Sequence, residues 1–276
     1  MRPLPLLAAD CAECSALCCT AMSLRRSADF AIDKPADRPC PNLRAEDFGC
    51  GIHDRLREKG FPGCIAYDCF GAGQRITQST FGGRTWRDHP DEASTIFPAF
   101  LAMTGVHEVL WHLDHARSVA AGPLRAEVEQ ALERTDALGN LPPDELARLD
   151  VVTALTPAMD LVKEVSRRAR AGAPGPDLAG RALVGADLRR TELRGADLRS
   201  AVLLGADLRG ADLTLADLGG TDLRAARLAG ADLSGALFLR PAQLSSALGD
   251  RRTRLPAGVQ RPAQWTGPRR GRPEGK

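Results

Sequence analysis

The sequence predicts a mixed fold made of a cysteine-rich segment, a helical region and a C-terminal solenoid, in that order. Three observations carry the prediction. Leucine recurs every five residues from Leu178 to Leu233, and Phe238 takes the next place. Apolar residues recur at helical spacing between positions 91 and 171. All eight cysteines lie within the first 69 positions.

Residues 1–88 are rich in Gly, Pro and Asp and weak in periodicity, so they read as loops and short helices held by something other than an apolar core. Cys11, Cys14, Cys18 and Cys19 concentrate four thiols in nine residues. A C-x2-C pair lets two sulfurs reach one metal, and thiolate is a soft ligand suited to zinc or iron–sulfur clusters. Vicinal Cys18 and Cys19 cannot easily bond each other, so one is expected to face the same centre as Cys11 and Cys14 and the other to face elsewhere. Cys40, Cys50, Cys64 and Cys69 form a second group. In a chain without an export signal, clustered cysteines point to metal or redox chemistry more often than to structural disulfides. The pattern is C-x2-C with a nearby C-C, then Cys40-Pro41-Asn42-Leu43, then Cys50-Gly51-Ile52-His53, then Cys64 and Cys69. It resembles the zinc- or iron-chelating cysteine-cluster domains of the YkgJ-like family, with His53 where many relatives carry Tyr. The resemblance implies a metal-binding role for all eight cysteines. It leaves zinc and an iron–sulfur cluster both open, with a slight pull toward iron–sulfur because eight thiols exceed what one closed zinc site needs.

A helix is expected over 91–121, with Phe97, Phe100, Leu101, Val106, Val109, Leu110 and Leu113 as its apolar positions. Gly122-Pro123 breaks it. A second helix is expected over about 124–138, ending at Gly139. Pro142-Pro143-Asp144-Glu145 opens a third, with Pro at its N-terminal positions and acids in the first turn. A fourth is expected over about 157–171, followed by a linker at 172–176. His107 and His112 are spaced i and i+5, whereas zinc-protease helices need i and i+4. They read as ordinary helix histidines.

From 177 to 239 the period of five matches neither a helix nor a flat strand. It fits a solenoid, in which stacking supplies the core that no single repeat can form. The expected inward positions are Leu188, Leu193, Leu198, Leu203, Leu208, Leu213, Leu218, Leu223, Leu228, Leu233 and Phe238, each with Ala or Thr two residues before it. Ala186-Asp187-Leu188-Arg189-Arg190 and Ala206-Asp207-Leu208-Arg209-Gly210 read as an A-(D/N)-L-x-x motif, and here the chain resembles the pentapeptide-repeat family. That resemblance implies a right-handed quadrilateral β-helix with four pentapeptides per coil. Stacking by 20 then puts Val184, Val202 and Leu204 together on an outer face that is otherwise polar, a candidate contact face for the helices or for a second copy of the chain. Residues 240–276 are expected to form a cap and a basic tail, with nine Lys/Arg against two Asp/Glu.

These features imply a non-enzymatic interaction scaffold with a metal- or cluster-binding cysteine domain, and an unnamed protein partner or a homodimer. The alternative is a redox or metal-responsive protein that uses the cysteine centre. Some relatives in the resembled family mimic DNA and protect topoisomerases, but that needs a strongly negative surface. Here Asp187/Arg189 and Asp207/Arg209 neutralise one another, and net charge over 276 residues is only +2. No catalytic triad or carboxylate pair can be placed. Nucleic acid is expected to meet at most the basic tail. No apolar run is read as membrane-crossing and no secretory segment is read at the N-terminus, so a cytoplasmic location is expected.

Overall fold

The computed structural model describes residues 7–266 and divides into two compact units, Met1–Arg168 and Ala169–Lys276. The last ten residues of the expected basic tail lie outside the described residues.

The first unit is helical. α1 (Leu17–Ala21), α2 (Pro62–Ala66) and α3 (Ala72–Gln74) are short, and α3 runs straight into a wide turn at Arg75–Thr80. The longer helices are α4 (Ala93–Val119), α5 (Pro123–Leu138) and α7 (Val151–Ala169), with short α6 (Pro143–Ala147) between the last two. α4 packs against α1, α3, α5 and α6. It can serve four neighbours because it is apolar on several faces, with Phe100, Met103, Val106, Leu110 and Leu113 fully buried. The cysteine-rich segment does have a core. Leu17, Ile76 and Phe81 are buried against Ile96 and Phe100, and Leu24, Leu56 and Phe61 form a second small cluster. Periodicity hid this core because Arg75–Thr80 is wound with five-residue spacing. Phe81 N–H donates to the Ile76 carbonyl at 3.0 Å, which carries Ile76 and Phe81 off the usual helical stripe.

Two further helical expectations change. α7 begins at Val151 rather than near 157, because Asp150 accepts the Thr153 N–H (3.2 Å) and its hydroxyl (2.7 Å) and so caps the earlier start. Pro157 therefore lies inside α7, where its missing N–H omits one rung. The segment Pro90–Val119 is also long and apolar enough to cross a membrane by length and composition, contrary to the reading of the sequence. Its most apolar window is 56% buried within the protein.

α4 and α5 hold a part-buried polar network around buried His107. His107 donates from Nδ1 to the Phe70 carbonyl (2.7 Å), which leaves Nε2 to accept from Arg75 (3.4 Å). Arg75 also meets Asp136 (3.2 Å) and the Asn140 side-chain oxygen (3.1 Å). Burial, helped by the Arg75 charge and opposed by the Phe70 hydrogen bond and by Asp136, holds His107 down at about 4. The unfolded chain protonates this ring near pH 6.5. Stability from His107 is thus complete above that pH and is lost as pH falls toward 4, by on the order of 3 kcal/mol. Urea midpoints measured from pH 7 to pH 4 should fall more steeply for the parent than for His107→Gln.

The second unit is a stack of coils, and it corrects the expected quadrilateral β-helix. Among the described residues there is no β-strand and no sheet; about 40% of the chain is helical. Every pairing in the repeats is an isolated parallel bridge, as in Asp177↔Asp197↔Asp217, Ala182↔Val202↔Asp222 and Asp187↔Asp207↔Arg227. The physical reason is the length of the unit. Of five residues, two form each turn, one points in and one small residue precedes it, so one bridged residue never has a bridged neighbour. Bridged residues still register with positions 20 apart. Asp207 N–H donates to the Ala186 carbonyl, and Leu188 N–H donates to the Asp207 carbonyl, both at 2.9 Å.

Leu193, Leu198, Leu203, Leu208, Leu213, Leu218, Leu223, Leu228 and Leu233 are buried in one continuous cluster with the alanines two before most of them. Leu178, Leu183 and Leu188 in the first coil are only partly covered. Phe238 is buried too, but in the left-handed region (φ 56°), and Leu239 rather than Phe238 joins the inner cluster. α8 (Pro241–Ser246) then closes the end of the stack. Buried Gln243 donates to the Leu218 and Thr221 carbonyls (2.9 and 2.8 Å), and Trp265 is buried against the same cluster.

Candidate functional site

The eight cysteines are all free thiols. α1 carries Cys18 and Cys19, and the preceding turn carries Cys11 and Cys14. α2 carries Cys64, and Cys69 lies just before α3. Cys40 is tied to α1 by its N–H, which donates to the Cys19 carbonyl at 2.9 Å, and Cys50 is bridged to Leu43. The thiols influence one another across the whole segment. Cys69 raises Cys11, Cys14 and Cys18; Cys19 and Cys40 raise Cys50 and Cys64; and Cys19 and Cys50 also raise Cys11. Within α1 the vicinal pair is in contact, with Cys18 Sγ 4.0 Å from Cys19 Sγ.

Their electrostatics follow from burial. Desolvation pushes Cys14 up to about 11 and Cys64 up to about 12, and it raises Cys11 and Cys50 as well. Cys18 is raised as well, first by donating to Cys19 and then by burial. Cys19 moves the other way, to about 7, because it accepts from Cys18 and stands near Lys34. Lys34 is itself buried and donates to the carbonyls of Thr20, Pro35 and Arg38 at 2.7–3.0 Å. No periodic or motif signal in the sequence marks it, since Lys34 stands alone in a loop between Cys19 and Cys40.

The donor set suits a soft metal, but its present spacing does not. Among the described residues, no three His, Cys, Asp or Glu side chains are placed to hold one ion. His53 opens a short 3-10 turn, His53–Arg55.

The repeat surface offers the other candidate residues. Val184 is 60% exposed, while Val202 and Leu204 beside it are half-buried. Arginine forks neutralise the acidic column. Arg189 binds Asp187 and Arg209 binds Asp207 through Nε and Nη2 at 2.5–2.8 Å. Arg199 does the same to Asp197 while Arg170 holds that carboxylate at 3.0 Å.

The repeats match a family model described as pentapeptide repeats, over residues 177–214 and 201–238. The whole chain is similar to the uncharacterized protein YybG of Bacillus subtilis (strain 168), with 50% identity over 265 residues, covering 94% of this chain and 95% of that protein. Two solved pentapeptide repeat proteins are also similar. One, from the Arabidopsis thaliana thylakoid lumen, is 33% identical with a TM-score of 0.15; the match covers 24% of this chain and 57% of the other's length. The second, from Nostoc Pcc 7120, is 31% identical with a TM-score of 0.14, covering 35% and 87% of the two chains.

Proposed function

This chain belongs to the pentapeptide-repeat family, and on that premise we propose that it is a non-enzymatic, cytoplasmic interaction scaffold whose cysteine domain binds zinc or an iron–sulfur cluster. The observation that carries the scaffold reading is the coil stack itself. Its rows are fixed by main-chain hydrogen bonds from every repeat and locked at one end by α8, so it holds an outer face in fixed register. The contact face is Val184, Val202 and Leu204, which offers apolar area to a protein partner or a second copy of the chain. Metal binding is supported by eight unbonded thiols, and it requires those side chains to close in from their present spacing.

A second reading, a redox or metal-responsive protein, is favoured by the contact between the Cys18 and Cys19 sulfurs. Anaerobic purification with elemental analysis and a visible absorption spectrum separates the two. Colourless protein holding zinc is expected of the scaffold, and brown protein holding iron supports the redox reading. Protein that carries neither element, and takes up neither on reconstitution, removes the metal from both.

A further inference from the structure

We propose that the coil stack carries an anion site, separate from the contact face, that binds a condensed phosphate such as pyrophosphate. A cleft of about 890 Å³ is lined by Asp187, Arg189, Arg190, Arg209, Arg252 and a floor of Gly210, Ala229 and Gly230. The floor explains the cleft. Rows run down the stack at intervals of 20, so Arg189 and Arg209 are followed by Ala229, and Arg190 by Gly210 and Gly230. Below Arg190 the next two coils thus carry no side chain, and Arg252 closes the far end.

Four guanidinium groups face one carboxylate in the lining. The ion pairs do not use up the arginines. Arg189 and Arg209 spend Nε and Nη2 on their aspartates, and Arg252 meets Asp250 through Nε at 3.2 Å. A guanidinium has five N–H donors, so the Nη1 ends of Arg189 and Arg209 remain for an oxyanion. Arg190 is different again, because its guanidinium has no hydrogen-bond or ion-pair partner among the described residues.

Arg190 also sits in a place that its backbone disfavours. It occupies the fifth position of its repeat with φ 53°. Eight of the twelve such positions from 180 to 235 are Gly; Ser200, Leu215 and Ala225 are the other exceptions. A left-handed non-glycine residue is strained, and strain held at a cleft is a pointer to a site. The ligand class follows from the walls. No aromatic or large apolar side chain lines the cleft, which leaves a base or ring nothing to stack on. Arginines on successive layers about 4.8 Å apart suit an ion with oxyanions on adjoining phosphates.

The test is isothermal titration of the full chain with inorganic pyrophosphate at physiological salt, repeated with orthophosphate and with a short DNA duplex. The parent is expected to bind pyrophosphate more tightly than orthophosphate. Arg190→Gly places at that turn the residue most repeats already have, so it should fold at least as stably while binding pyrophosphate about tenfold or more weakly. Arg181→Gln, on another side of the first coil, should bind as the parent does. The proposal is overturned if the parent shows no pyrophosphate binding, if Arg190→Gly binds unchanged, if orthophosphate binds as tightly, or if only DNA binds.

Discussion

Replacing Leu208 by Ala should lower the stability of the coil stack by about 2–5 kcal/mol. Leu208 is fully buried, with Leu188 and Leu228 in its own row on the adjoining coils. The backbone around it cannot slump into the space left behind. Its N–H donates to the Arg227 carbonyl at 2.9 Å, and Asp207 beside it is bonded to the coil on the other side. A cavity that cannot collapse puts the cost in the upper part of the range. Ala206→Leu should be destabilising as well, by about 1–3 kcal/mol, because that fully buried slot is filled by a methyl group. Leu188→Ala should cost less than Leu208→Ala, since Leu188 is only partly covered. Urea unfolding, with hydrogen exchange read over residues 198–233, checks all three. Equal midpoints for Ala206→Leu and the parent would contradict the inward assignment.

Gly195→Ala should be the most damaging change to a turn, at about 2–5 kcal/mol when left-handed strain and a backbone clash are combined. Gly195 has φ 65°, and a Cβ there would lie 1.7 Å from the Ala173 carbonyl oxygen. That oxygen belongs to the segment 170–176, which lies along one side of the first coil. Arg170 holds it there, donating to the Gly195 carbonyl (2.9 Å) and to Asp197 (3.0 Å). Gly185 supplies the control. It has the same φ of 65° but nothing within 4 Å of a Cβ, so Gly185→Ala should show the strain alone, about 1–2 kcal/mol. The difference between the two melting temperatures isolates the clash.

The five-residue repeat was legible in the sequence because it places one residue type at one spacing with no interruption. Its pairing was not. Strand formation needs consecutive bridged residues, and a unit that turns after every bridge cannot supply them, so the expected strands are single bridges. The place where the repeat ends was also hidden. Phe238 continues the spacing, yet the chain turns left-handed there and Leu239 reaches the inner cluster instead. In the first unit, the start of α7 was set by the Asp150 side chain rather than by apolar spacing. The core under the cysteines depends on one wide turn that no periodic template contains. Of the candidate sites, the cysteines announced themselves by composition. Arg75, Asp136 and His107 did not, because they are 61 and 32 residues apart and meet only through folding. The arginine cleft had one available signal, an arginine at 190 in a position that most repeats give to glycine.

The interval of 20 also governs how this chain can change length. Removing residues 206–225 joins rows to their own continuations, so the end cap arrives over the same side as before. Removing only residues 206–210 advances everything downstream by a quarter of a coil. Gln243 still faces the Leu218 and Thr221 carbonyls, because everything from 211 onward keeps its own spacing, but the cap then sits a quarter of a coil round from its place relative to the first coil. Whole coils therefore keep every outer row aligned from the first coil to the cap, whereas a single repeat, the unit written in the sequence, shifts the rows against one another by one side.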